Sequence, residues 1–195
     1  MTDPQVRDFP GQLNSVQLNI MTFVNVARAL VTNSLDESVF MRDNSPASKN
    51  QGTSRLQTTC KQGQALNWII LAFDSTQRAN KTWPPMPKIS NIVFLNGEGS
   101  DVAKQLVCSQ FGVYGGPDKM RSPWTPVYYY WAGTVIPTLS PGIYRYRFVI
   151  ELPKEQSSSQ KPGDAGSIHL NLDGPSLNVI PMDAGERTGS QASVV

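Results

Sequence analysis

Charge is scarce in this chain, and so is the chemistry that depends on it. Only 16% of its 195 residues are charged, and 17 Lys and Arg against 15 Asp and Glu leave a formal net charge of +2. The cations are scattered, with no dense stripe to neutralise a phosphate backbone, so nucleic acid is not an expected partner. No apolar run approaches the roughly 20 residues that span a bilayer, which argues against a membrane-spanning helix. Residues 1–11 lack the basic and apolar regions of a classical export signal, so a cytoplasmic, reducing location is the expectation. Cys60 and Cys108 are the only cysteines, too few for a disulfide framework, and free buried thiols are expected ahead of a bridge. His169 is the sole histidine, so any Ser/His/Asp or Cys/His mechanism has to run through it. It lacks a G-x-S-x-G elbow or a neighbouring cysteine, and too few His and Cys exist for a zinc site. The expectation is a protein that is not an enzyme. The enzymatic alternative would set His169 beside Asp173 or a serine.

Hydrophobic residues make up 39% of the chain, and Ser, Thr, Asn and Gln supply much of its polarity. Such a surface does not strongly resist self-association. The apolar residues that are present fall mostly in strand-like patterns. Val16, Leu18 and Ile20 alternate with Gln17 and Asn19, and Val26, Ala27, Leu30 and Val31 follow at helical spacing. Residues 32–53 form a polar connection with a short extended piece around Val39. A strand leads to Cys60, Gly63 turns the chain, and Leu66, Trp68 and Ile70 then oppose Ile69, Leu71 and Phe73. Apolar on both faces, that strand should be central, with a facing sheet on one side and a helix, loop or second subunit on the other. The proline-rich run at 83–87 is a stiff connector into a strand at 89–95. Residues 101–111 have weak helical spacing, and 112–126 look like a Gly/Pro-rich loop.

The strongest signal is at residues 124–152. Val127, Tyr129 and Trp131 point one way and Tyr128 and Tyr130 the other, while Tyr144, Tyr146, Phe148 and Ile150 share a face on a second arm. Ser140-Pro141-Gly142-Ile143 between them predicts a turn and hence a β-hairpin. Residues 153–166 read as an exposed excursion, and Ile168, Leu170 and Leu172 as a strand with His169 on its less buried side. Asp173-Gly174 then turns the chain toward Leu177 and Val179. Some seven short strands with one or two short helices predict an all-β fold, an antiparallel two-sheet β-sandwich of jelly-roll type, with a closed barrel as the alternative. The expected organisation is an arm at 1–15, one domain at 16–180 and a tail at 181–195.

Two sets of side chains are candidates for binding. Trp124, Tyr128, Tyr130 and Trp131 are candidates for an oligomer or ligand interface, because rings of one parity are left over when the other parity fills a core. Core packing on both faces is the competing reading. Glu98, Asp101 and Asp118 lie in Gly-rich loops where carboxylates and carbonyls would suit Ca²⁺, although EF-hand spacing is absent and turn residues explain them as well. No cofactor is otherwise expected.

Several segments together resemble the AidA/PixA family of bacterial inclusion body proteins. Gln51-Gly52-Thr53-Ser54-Arg55-Leu56, followed by Gly63 and Trp68, is similar to that family's "GQGT..L....G..I.W" stretch. Tyr129-Tyr130-Trp131, the 144–148 strand and the 172–179 segment resemble its aromatic, penultimate and closing strands, in the same order. Met21-Thr22 stands where the family usually has Asp-Thr, Leu172 replaces its closing Trp, and Asp173-Gly174-Pro175 replaces Asp-Pro. The resemblance implies a cytoplasmic, jelly-roll-like, non-enzymatic protein that self-associates or accumulates as inclusions, with quorum-sensing or host-interaction links. It extends to a Ca²⁺-linked, lectin-like alternative with a glycan or host protein as partner. A viral capsid-type jelly roll is a more distant option, since Arg7 and Arg28 are the only arginines before residue 40 and the arm is too weakly basic to package a genome.

Overall fold

A computed structural model describes residues 17–73, 86–96, 102–116, 128–153 and 166–182. The expected arm at 1–15 lies outside the described residues, as do most of the excursion at 153–166, most of the tail and most of the proline-rich connector.

Alternation of apolar and polar residues builds β1 (Leu18–Val24), whose Leu18, Ile20, Thr22 and Val24 turn inward. A short helix, α1 (Val26–Thr32), follows. Asn25 caps it by accepting from the Arg28 amide, and Asn33 ends it in the left-handed conformation at φ 51°. Its buried residues are Val26 and Ala29, whereas Val31, placed by spacing on the apolar face, is 88% exposed. A seven-residue helix has room for only one inward stripe of two residues.

The remaining strands are β2 (Val39–Asp43), β3 (Gln57–Lys61), β4 (Ala65–Ala72), β5 (Lys88–Phe94), β6 (Cys108–Gly115), β7 (Tyr129–Val135), β8 (Gly142–Pro153), β9 (Ser167–Leu172) and β10 (Ser176–Ile180). They form two sheets. The first has the order β2-β1-β4-β7-β6; the second has the order β3-β10-β8-β5, with β9 also paired to β8. The all-β sandwich expected from the sequence is therefore present, and β4 is central as expected. The expected antiparallel pairing is corrected: both sheets are mixed, because β1–β4 and β3–β10 run parallel. Residues distant in sequence make both pairings, so local patterning carries no sign of their direction.

Two further expectations are corrected. The arms of the aromatic segment do not form a hairpin: β7 lies in the first sheet and β8 in the second. Residues 136–141 cross between the sheets, anchored by buried Leu139 and by a hydrogen bond from Gln62 Nε2 to its carbonyl (2.6 Å). A Pro-Gly signal marks a change of direction without saying whether the chain turns within a sheet or over its edge. The second correction concerns residues 101–126. No helix forms among those described; β6 runs through Phe111, Gly112 and Gly115 and pairs with β7, with a bulge between Ser109 and Gly112. Gly133 of β7 makes room for Phe111, whose ring carbon would lie 2.8 Å from an added Cβ.

Between the sheets, Trp68, Phe111, Phe94, Tyr146, Phe148 and Trp131 form a continuous aromatic core with centroid separations of 5.0–6.1 Å. β9 and β10 form one interrupted line along β8, broken at Asp173-Gly174-Pro175. Arg147 of β8 grips Asp173 at that elbow with a two-point ion pair, its Nη2 lying 2.8 Å from Oδ2.

Candidate functional site

The two outer faces of the sandwich differ in kind. On the second sheet the outward rows run Lys88–Glu151–His169, Asn91–Val149–Asn171 and Val93–Arg147. Lys88 Nζ and His169 Nε2 lie 3.9 and 4.0 Å from Glu151 Oε2. This is the polar alternation of a sheet that meets water.

The first sheet breaks that rule. Its registers place Arg42, Met21, Ile69, Tyr130 and Tyr114 side by side in one outward row across all five strands. The neighbouring row holds Phe40, Phe23 and Leu71, with Tyr128 beside it. Phe40, Tyr114 and Tyr128 are 45%, 41% and 40% exposed, and Phe73, just beyond β4, is 59% exposed. Tyr114 stacks on Tyr130 at 5.9 Å, and Tyr128 meets Tyr130 edge-on at 6.3 Å. At one end the face becomes polar. Asn67 Nδ2 donates to Asn19 Oδ1 (2.8 Å), and the Asn19 amide donates to Asn44 Oδ1 (2.8 Å).

The candidate interface residues thus separate. Tyr128 and Tyr130 sit on this outer face, whereas Trp131 points between the sheets, where its Nε1 donates to the Ile89 carbonyl at 2.8 Å. Trp124 lies outside the described residues. Met21, Phe23, Phe40 and Tyr114 were not singled out by sequence reasoning. The signal for the first two was their apolar character in the polar phase of β1; Tyr114 was hidden among glycines.

Glu98, Asp101 and Asp118, the Ca²⁺ candidates, lie outside the described residues. Among the described residues no group of three or more His, Cys, Asp or Glu is placed to hold a metal. His169 is exposed and faces Glu151 rather than Asp173, which Arg147 holds. Cys60 and Cys108 are free and buried. Burial pushes both thiols up to about 12, and for Cys60 the nearby Cys108 and Asp43 add to the effect, so neither is a ready nucleophile. No described helix is long and apolar enough to cross a membrane.

Comparison with known proteins bears on the fold. A family model described as a domain of unknown function, DUF8788, matches residues 16–82, the stretch that holds β1 to β4. No curated protein matches. Among solved structures, the crystal structure of the inclusion body protein PixA from Burkholderia cenocepacia J2315 has a TM-score of 0.56. The match covers 85% of this chain and 96% of that one at 11% sequence identity. The resemblance read from short motifs thus holds at the level of the fold.

Proposed function

We propose that this is a non-enzymatic, self-associating β-sandwich protein of the inclusion-body kind, acting in the cytoplasm, whose copies meet through the outer face of the first sheet. One observation carries the reading: an apolar and aromatic band crosses all five strands of that sheet on the side turned away from the core. A monomer gains nothing by exposing such a band, while the second sheet of the same molecule keeps the ordinary polar outer face.

The dimensions favour a second copy as the occupant. Five strands about 4.8 Å apart and five residues at about 3.3 Å give a band of roughly 400 Å² in plan. A standard interface buries about 800 Å² per partner, with an apolar centre and a polar rim. The band supplies such a centre, and Arg42, Asn19, Asn44 and Asn67 supply a rim. It carries a single charge, that of Arg42 at one end, so two copies laid face to face can avoid apposing like charges. The name of the similar solved structure, an inclusion body protein, supports the same reading.

Native mass measurement and light scattering over a concentration series test it. Dimers or larger species that grow with concentration are expected; a strict monomer at the highest concentration refutes the proposal.

A further inference from the structure

The two segments that carry the sequence resemblance at 51–56 and 172–179 are far apart in the chain, yet they meet at one cleft on the outer face of the second sheet, where Gln57, Ser176 and Arg145 form a row across β3, β10 and β8. Self-association through the first sheet makes no use of it. Both walls are built to a fixed shape. Asn50 holds the left-handed conformation at φ 59°, its Nδ2 donates to the Arg55 carbonyl (3.2 Å), and Thr53 Oγ1 donates to the Asn50 carbonyl (2.9 Å). Opposite, Gly174 presses against Ser54 so closely that a Cβ would lie 2.5 Å from the Ser54 carbonyl oxygen. The Arg147–Asp173 pair locks the elbow and neutralises Asp173.

The cleft between these walls has a volume of about 530 Å³, within the range of small-molecule sites. Arg55 and Arg145 both line it, both exposed, and neither guanidinium has an ion pair or side-chain hydrogen bond among the described residues. Asp36 lines it too, and its carboxylate is likewise without an ion pair or hydrogen bond among the described residues. Asn50, Ser54, Gln57 and Ser176 add polar lining beside the aliphatic Ile143 and Leu172, and no aromatic residue is among the described residues that line it. Two free guanidinia call for an anionic end on the ligand, and their planar forks suit a carboxylate. A free carboxylate beside them calls for hydroxyl donors, which a bare inorganic anion lacks.

We propose that this cleft binds a sugar acid, with the ligand carboxylate between Arg55 and Arg145 and its hydroxyls on Asp36, Asn50 and Gln57. The site is independent of self-association and stands or falls separately from it.

Titrating ¹⁵N-labelled protein with glucuronate, methyl glucuronide, glucose and inorganic phosphate tests the proposal. Saturable amide shifts confined to residues 36, 50–57, 145 and 172–176 are expected with the first two. Glucose should bind about tenfold or more weakly, and Arg55→Gln and Arg145→Gln should each weaken glucuronate binding by about tenfold or more, as loss of a charged hydrogen bond does. Lys88→Gln, at the far end of the same sheet, should leave binding unchanged. Equal binding of methyl glucuronide supports a glycan-terminal sugar acid, and its loss with glucuronate retained supports a free one. Absence of saturable shifts with both, phosphate binding as tightly as glucuronate, or unchanged binding by both arginine variants overturns the proposal.

Discussion

Tyr146 and Trp68 are fully buried and lie edge to face at 6.1 Å; Trp68 Nε1 is near enough to act weakly on the Tyr146 phenol, yet neither polar atom completes a hydrogen bond among the described residues. Burial holds the Tyr146 phenol well above its ordinary ionisation range. A hydroxyl buried without a partner costs stability, so Tyr146→Phe, which keeps the ring and removes that oxygen, should be neutral or stabilising by up to about 2 kcal/mol. A urea midpoint that falls clearly on this substitution would show that the hydroxyl is satisfied. The two thiols give a second prediction at this scale. Their folded pKa values of about 12 exceed the ordinary 9, so the folded protein keeps protons that the unfolded chain releases. Their contribution is fully present below about pH 9 and is lost as pH rises toward 12. Denaturant midpoints should fall across that window, and fall less in the Cys60→Ala/Cys108→Ala double variant. An equal fall in both proteins would contradict the assignment.

Among the elements, β8 was the most legible. Tyr144, Tyr146, Phe148 and Ile150 all occupy its inward phase, because a twelve-residue strand with one face in the core must keep strict alternation. The two-sided apolar character of β4 likewise announced a central strand. Illegible elements failed for physical reasons. β6 holds two glycines, Gly115 pressed by Tyr128 and Tyr130 and Gly112 in open space, and glycine in a sequence looks the same whether it serves a turn or a close approach. Gly116, just beyond β6, shows the crowding directly. It has φ 95°, and a Cβ there would fall 2.1 Å from the Tyr129 ring. Gly116→Ala should therefore cost about 1–3 kcal/mol, from overpacking together with left-handed strain. Urea unfolding with an unchanged slope checks this; an unchanged midpoint would mean that the Tyr129 ring moves aside freely.

At the scale of the whole molecule, the sandwich has one outer face of ordinary polar alternation and one of rings and aliphatic chains. The sequence hinted at this through the spare aromatic parity of Tyr128 and Tyr130 and through the outer phase of β4. The complete band was out of reach, because Phe40, Met21, Ile69, Tyr130 and Tyr114 come from five strands spread over the chain, and only the registers align them. The cleft was equally hidden. Its segments were noticed as motifs, but their meeting depends on the parallel β3–β10 pair and the elbow at Gly174.

If the apolar outer face joins copies of this chain, sedimentation equilibrium on matched variants will show it. Phe40→Lys/Tyr128→Lys charges that face at two exposed positions, and Val149→Lys/His169→Lys makes the same change on the opposite one. The native chain and the second variant should associate with rising concentration, while the first stays monomeric with its fold intact by circular dichroism. Association undiminished in the first variant, or a native chain that remains monomeric throughout, would contradict it.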